Sequence, residues 1–279
     1  MKALKHIRVL VSIVMLIECV ALVWLGAGAP LHARVAGAMQ LSASKIAMGI
    51  TASVGAWIVW LLATLLLGRV YCSSACPVGT LQDVVRRASC LIKPRPYRRR
   101  AASRTRWWVL AAYAAAVVAG VGIVPLLIDP WPSFVNGVEQ SGHLAGPGLT
   151  HPLLVTRIGL GALWGVLASV ASVALIAAWA VMRGRDFCNE VCPVGSILAL
   201  AAERSMLHLE LIPDRCTSCL RCEDVCKAGC IDIKTRTIDN ARCVRCFNCL
   251  AECPDDAIKY QINRNGIITP MFQRKTSMT

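Results

Sequence analysis

The chain has 279 residues, 56% hydrophobic and only 16% charged, with fifteen cysteines and a formal charge of +14. So apolar a composition excludes an ordinary pair of soluble domains and points to a membrane protein. Most of the cysteines fall in spaced runs, which excludes a small disulfide scaffold and favours reduced thiolates facing a reducing compartment.

Lys2, Lys5 and Arg8 precede an apolar stretch from Val9 to about Ala29. At about 1.5 Å per residue it can cross a hydrocarbon core of roughly 30 Å. A signal peptide is the alternative, but the stretch is longer than a signal core and reads as a retained helix. Further spans are expected over about Ile46–Gly68, Trp107–Ile128 and Leu153–Met182. A basic block lies between the second and third: Arg69, Arg86, Arg87, Lys93, Arg95, Arg98, Arg99, Arg100, Arg104 and Arg106. Asp129–Pro152 has no lysine or arginine. The positive-inside rule therefore puts the basic loop and both termini in the cytoplasm and the Asp129–Pro152 loop outside. Topology and attraction to anionic lipid account for the block. Nucleic-acid binding is not expected, because no stacking aromatics or binding motif accompany it.

Two internal repeats overlie this layout. Gly68-Arg69-Val70-Tyr71-Cys72-Ser73-Ser74-Ala75-Cys76-Pro77-Val78-Gly79 returns, 116 residues on, as Gly184-Arg185-Asp186-Phe187-Cys188-Asn189-Glu190-Val191-Cys192-Pro193-Val194-Gly195. Each copy ends a helix pair and leads into a short amphipathic segment, Thr80–Ser89 or Ser196–Ser205. The second repeat, offset by 27, is Cys216-x2-Cys219-x2-Cys222-x3-Cys226 followed by Cys243-x2-Cys246-x2-Cys249-x3-Cys253-Pro254. This is the bacterial two-cluster ferredoxin spacing, in which the fourth cysteine of each run ligates the other cube. It assigns Cys216, Cys219, Cys222 and Cys253 to one [4Fe-4S] cluster and Cys243, Cys246, Cys249 and Cys226 to a second. Zinc sites use separated pairs rather than four cysteines in eleven residues, twice. Lys227 stands where the pattern wants proline.

The expected fold is thus a mostly α membrane protein with four transmembrane helices as two repeated pairs, plus a small C-terminal α+β ferredoxin-like domain. Its parts are residues 1–106, 107–212 and 213–262, with a polar tail over 263–279. The tryptophans Trp107, Trp108 and Trp131 read as interfacial anchors.

The Cys-x3-Cys-Pro pairs leave three readings open. Cys72, Cys76, Cys188 and Cys192 could meet on the pseudo-twofold axis and ligate a further metal centre. Each pair could instead cycle between dithiol and disulfide or relay electrons by contact with a partner, or be buried thiols at helix ends. Cys230 could be a spare ligand but reads as a small packing residue, since the 27-residue repeat aligns it with Ala257. Cys19 and Cys90 read as packing thiols. Glu18, near the middle of the first span, is a candidate proton acceptor, because a carboxylate exposed there to lipid costs about 2.5 kcal/mol or more. Asp129, Glu139, His143 and His151 could also accept protons, although solvation in a loop is the simpler reading of each. No Cys-x2-Cys-His, Gly-x-Gly-x-x-Gly or P-loop is present, so no covalent haem, dinucleotide or nucleotide chemistry is expected.

Four spans, two Cys-x3-Cys-Pro motifs and a C-terminal two-cluster unit resemble the NapH ferredoxin-type membrane proteins of periplasmic nitrate reduction, and the membrane half of the NosR regulators. Gly68–Asp83, Ile128-Asp129-Pro130 and Cys226–Asp232 are closer to other polytopic 4Fe-4S-binding proteins. The resemblance implies a multi-pass protein of the bacterial inner membrane. It would exchange electrons with the quinone pool and an unidentified redox partner, as the electron-transfer subunit of a quinol dehydrogenase. It also implies ligand roles for the eight ferredoxin cysteines. The alternatives are a CcoG-like copper reductase or oxidase assembly factor, and a membrane redox sensor.

Overall fold

The computed structural model describes residues 2–42, 51–92, 96–97, 103–120, 123–145 and 162–262. Among the described residues helices dominate, and the strands are confined to the cysteine-rich C-terminal part. The first helix, α1 (Lys2–Leu25), turns Ile7, Leu10, Val11, Ile13, Val14 and Ile17 outward and buries Arg8, Ser12 and Cys19. Its Ala3–Leu25 stretch is the one helix among the described residues that is long and apolar enough to cross a membrane. Pro30 then starts α2 (Leu31–Ala38), which packs on α1. Gly37 permits this approach, since a Cβ there would run into Leu22.

The second expected span is α3 (Thr51–Leu67), whose first expected residues, 46–50, lie outside the described ones. The third departs from expectation. It is broken into α6 (Thr105–Val118) and α7 (Ile123–Ile128), after α4 (Val70–Ser74) and α5 (Pro77–Ile92). Gly120, at φ +75°, ends α6 in the left-handed conformation that glycine adopts at little cost. The Asp129–Pro152 segment is also not a solvated loop over its described part. Pro130 opens α8 (Pro130–Ala145), as proline favours a first helical position. Trp131, Phe134 and Val135 are buried, so Trp131 is a core residue here rather than an interfacial anchor. The side chains of Glu139 and His143, and all of His151, lie outside the described residues, as does the 263–279 tail. The fourth expected span corresponds to α9 (Ala162–Arg183).

The 116-residue repeat is structural. Gly68 (φ +78°) and Gly184 (φ +65°) terminate α3 and α9. Then α4 and α5 are matched by α10 (Asp186–Glu190) and α11 (Pro193–Glu203). Exposed apolar faces recur on α3 (Val54, Ile58, Leu62) and α9 (Val170, Leu175).

The cysteine-rich unit is closed by β1 (Leu207–Leu211), antiparallel to β4 (Ile258–Ile262) with Leu209 opposite Tyr260. This closing strand begins ahead of the expected start at residue 213. Inside lie α12 (Arg221–Asp224), the small hairpin β2 (Ile231–Asp232) with β3 (Thr237–Ile238), and α13 (Asn248–Glu252). The 27-residue repeat reaches the backbone. Ser218 and Leu220 are left-handed (φ +57° and +63°), and so are Arg245 and Phe247 (φ +53° and +58°). Such turns between closely spaced cysteines wrap the chain around a corner.

Candidate iron–sulfur sites

The ferredoxin cysteines line two cavities. One is lined by Cys216, Cys219, Cys222 and Cys253, with Ala257 beside them. The other is lined by Cys226, Cys243, Cys246 and Cys249, with Cys230 as a fifth thiol. These are the two sets expected from the spacing, each enclosed by apolar side chains such as Ile258 in the first and Val244 in the second. In both places four ferredoxin cysteines are grouped around one cavity, an arrangement that fits a [4Fe-4S] cube. The cavities differ in access. Cys219 is exposed and Cys216 and Cys253 are half-buried, whereas all four cysteines of the second set are buried.

The Cys-x3-Cys-Pro motifs place Cys72 and Cys188 within α4 and α10, and Cys76 and Cys192 at the breaks before α5 and α11. All four are buried. Pro193 at the first helical position and the Gly195 N–H donating to Cys192 Sγ at 3.4 Å set the break. Cys188 Sγ donates to Gln82 Oε1 at 3.4 Å, and Arg69 Nη2 lies 3.7 Å from Cys72 Sγ. Burial pushes the Cys76, Cys188 and Cys192 thiols up, and the neighbouring sulfurs add to it. Among the described residues no three His, Cys, Asp or Glu side chains are placed to hold a single metal ion. A multi-iron centre, whose ligands sit on different metals, asks for a wider spread of donors.

Charged side chains join these sites. Arg69, Arg185 and Arg245 are fully buried, and Arg86 is buried too. For Arg69 and Arg86 this corrects the reading of the basic block as purely a matter of topology and lipid. Arg69 donates to Asn189 Oδ1 (2.6 Å), the Cys188 carbonyl (3.0 Å) and the Ala241 carbonyl (3.2 Å). Arg86 donates to the Val181 carbonyl. Arg245, beside Cys243, donates to Asn240 Oδ1 at 2.6 Å, and its backbone carbonyl accepts from Ser73 Oγ. Asp83 gathers Arg8 (3.1 Å), Arg185 (2.8 Å) and Lys227 (2.6 Å). Burial opposes its charge, but the Arg185 guanidinium and the Lys227 ammonium hold its carboxyl well below the usual carboxylate range. Lys227, the residue that departs from the ferredoxin pattern, thus ties the cysteine-rich unit to the first Cys-x3-Cys-Pro repeat. The pairing of Arg8 with Asp83 was not expected from sequence, where Arg8 read as one of three cations at the start of the first span and Asp83 was the one acidic residue of an amphipathic segment.

Of the candidate proton acceptors, Glu18 is 22% exposed and its Oε2 lies 2.7 Å from His32 Nδ1. Asp129 is fully buried, and its Oδ2 accepts from Ser42 Oγ at 2.9 Å and Tyr113 OH at 3.1 Å. This overturns the reading of Asp129 as solvated. Nearby, Tyr71 OH donates to Gln40 Oε1 (3.1 Å) and accepts from the Leu41 N–H (2.9 Å), while Gln40 Nε2 reaches the Ala75 carbonyl next to Cys76. Residues 40–42 therefore connect the surroundings of Cys76 to Asp129. Cys19 is buried, as expected of a packing thiol, and Cys90 is partly exposed.

Residues 50–99 and 164–208 match the model of a family described as the 4Fe-4S binding domain. These segments carry the two Cys-x3-Cys-Pro motifs, not the eight ferredoxin cysteines. The chain is 26% identical to an uncharacterised protein of Methanocaldococcus jannaschii, over 76% of this chain and 72% of that one. It is 28% identical to the methylamine utilization ferredoxin-type protein MauN of Methylorubrum extorquens, over 73% of this chain and 66% of MauN. It is 23% identical to the putative electron transport protein YccM of Escherichia coli, over 71% of this chain and 52% of YccM. It therefore spans about half to two thirds of the length of MauN and YccM. No solved structure matches it. By family model and by relatives, the chain is similar to ferredoxin-type, 4Fe-4S-binding electron transport proteins.

Proposed function

We propose that this protein is a multi-pass membrane electron relay between the quinone pool and a redox partner, with two [4Fe-4S] clusters in its cysteine-rich unit. The observation that carries the reading is the order of the three cysteine groups. The Cys72, Cys76, Cys188 and Cys192 group is buried among the helices, the Cys226–Cys249 cavity abuts it through Ser73, Arg69 and Lys227, and the Cys216–Cys253 cavity opens outward at Cys219.

Cys216, Cys219, Cys222 and Cys253 would hold one cluster and Cys226, Cys243, Cys246 and Cys249 the other. The clusters, when bound, supply one-electron carriers. The protein's part is to fix them. Arg69, Arg245 and the Asp83–Lys227 pair clamp the cysteine-rich unit to the helices, and Val244 and Ile258 give each cavity an apolar wall. The four Cys-x3-Cys-Pro thiols are assigned to a further multi-iron centre, supported by their internal symmetry and by the family model that covers them. Four spans are part of the same proposal, supported by the outward apolar faces of α3 and α9 beside α1. Oxidation of a quinol releases protons as well as electrons, and Asp129 and Glu18 are the carboxylates placed among the helices to accept them.

The test is anaerobic mixing of the purified, iron-loaded protein with a reduced short-chain menaquinol, followed by absorbance and EPR. Rapid appearance of reduced-cluster signals is expected. If dithionite reduces the clusters but quinol does not, and the reduced protein does not reduce menaquinone, the quinone link is abandoned. A protein without iron or acid-labile sulfide would remove the cluster reading itself.

A further inference from the structure

The inner ferredoxin cavity holds one thiol more than a cube needs. Cys230 is buried and lines it together with Cys226, Cys243, Cys246 and Cys249. Its Sγ lies 3.5 Å from Cys226 Sγ, and its backbone N–H donates to the same sulfur at 3.4 Å. Ligands on different irons of a cube point away from one another along diverging bonds, so two sulfurs in van der Waals contact cannot each hold a separate corner. Cys230 also interacts with the Cys243 sulfur, so it lies between two ligands rather than at a corner of its own, and its backbone N–H singles out Cys226 as the ligand it can replace. The outer cavity supplies an internal comparison. Its fourth ligand position is Cys253, the 27-residue counterpart of Cys226, and the counterpart of Cys230 there is Ala257, whose methyl lines that cavity.

We propose that Cys226 and Cys230 are alternative ligands for one corner of the inner cluster, so that this cluster, unlike the outer one, keeps four thiolates when its fourth ligand is lost. The inference rests on the cluster reading above. The exchange is balanced without an oxidant. The iron–sulfur bond to Cys226 breaks, one to Cys230 forms, and the Cys230 thiol proton passes to the departing Cys226 sulfur. Cluster charge and electron count do not change, and burial of both thiols keeps water from taking the open corner.

Four variants of the full chain, loaded anaerobically with iron and sulfide, test this by iron and sulfide content and by EPR of the reduced clusters. Cys226→Ala is expected to keep the wild-type iron and sulfide content, with a shifted signal from the inner cluster. Cys230→Ala keeps both content and signal position. Cys226→Ala with Cys230→Ala loses iron from the inner site. Cys253→Ala, which has only Ala257 in reserve, loses iron from the outer site. Loss from Cys226→Ala as large as from the double variant overturns the inference. So does failure of Cys226→Ala to yield folded protein with an intact outer cluster where Cys230→Ala yields it. Absence of iron from the wild type defeats the cluster reading instead, so the two failures are distinguishable.

Discussion

Arg69 and Arg185, equivalent residues of the 116-residue repeat, each donate to the backbone carbonyl of the other repeat's first Cys-x3-Cys-Pro cysteine, Cys188 and Cys72 respectively. Gly195 and Gly79 make room for this clasp, since a Cβ at either would strike that carbonyl and the arginine on it. Removing one partner of a buried, hydrogen-bonded charge leaves the other uncompensated. Arg185→Met, which also strips a cation from Asp83, is expected to destabilise the protein by about 3–5 kcal/mol. Arg69→Met should cost less, because its partners are neutral groups. Chemical unfolding of both variants in detergent, with iron content as a second readout, checks the order.

The Asp83 cluster makes a pH prediction. Its carboxyl is held below the usual range in the folded protein, against an unfolded value of about 3.9. The stability it contributes is therefore complete above the unfolded value and is lost only as pH falls through the lower folded one. The stability difference between wild type and Asp83→Asn should be flat from pH 8 to pH 5 and shrink only below about pH 4. A difference that already declines between pH 8 and pH 6 would show that the ion cluster does not form as described.

Lys227 brings a positive charge to the inner cavity, where it faces Cys246 as well as Asp83. A nearby cation favours the more negative, reduced form of a cluster. If the two-cluster reading holds, Lys227→Met should lower the inner cluster's reduction potential by on the order of 60 mV, a tenfold change for one electron. The outer cluster should move much less. EPR-monitored redox titration separates the two signals, and equal shifts would rule the local explanation out.

If the quinone link holds, the two candidate acceptors Asp129 and Glu18 can be ranked. Asp129 is fully buried on two hydroxyl donors, whereas Glu18 is partly exposed and already matched to His32. Asp129→Asn is expected to slow cluster reduction by quinol about 100-fold, the usual scale for a positioned proton acceptor, without loss of iron. Glu18→Gln should have the smaller effect. The reverse ranking in stopped-flow traces would restore Glu18 as the principal acceptor.

The cysteines were legible in sequence because their spacing is dictated by local geometry. Three cysteines at x2 intervals need the same left-handed turns in each half, and Ser218, Leu220, Arg245 and Phe247 supply them. The 116-residue repeat was legible for a similar reason, since Gly68 and Gly184 need positive φ and Gly79 and Gly195 cannot carry a Cβ. What escaped was long-range. Hydropathy read through Gly120 and joined α6 to α7. It also took Asp129 for a solvated residue, because nothing local announces that Ser42, 87 positions earlier, and Tyr113 would close over it. The basic block misled in the same way. Arg69 and Arg86 count toward topology in a charge tally, yet Arg69 donates to Asn189, Cys188 and Ala241 and Arg86 to Val181, each 95 or more residues away.

The open edge at Cys219 has a consequence for how the protein ages in air. Molecular oxygen and its reduced products arrive from solvent, and of the three cysteine groups only the outer cavity meets solvent directly. Damage should therefore run inward: the outer site bleaches first, the inner site follows more slowly behind its buried wall, and the thiols among the helices survive longest. A partner seated over Cys219 would shield the vulnerable edge as well as exchange electrons through it.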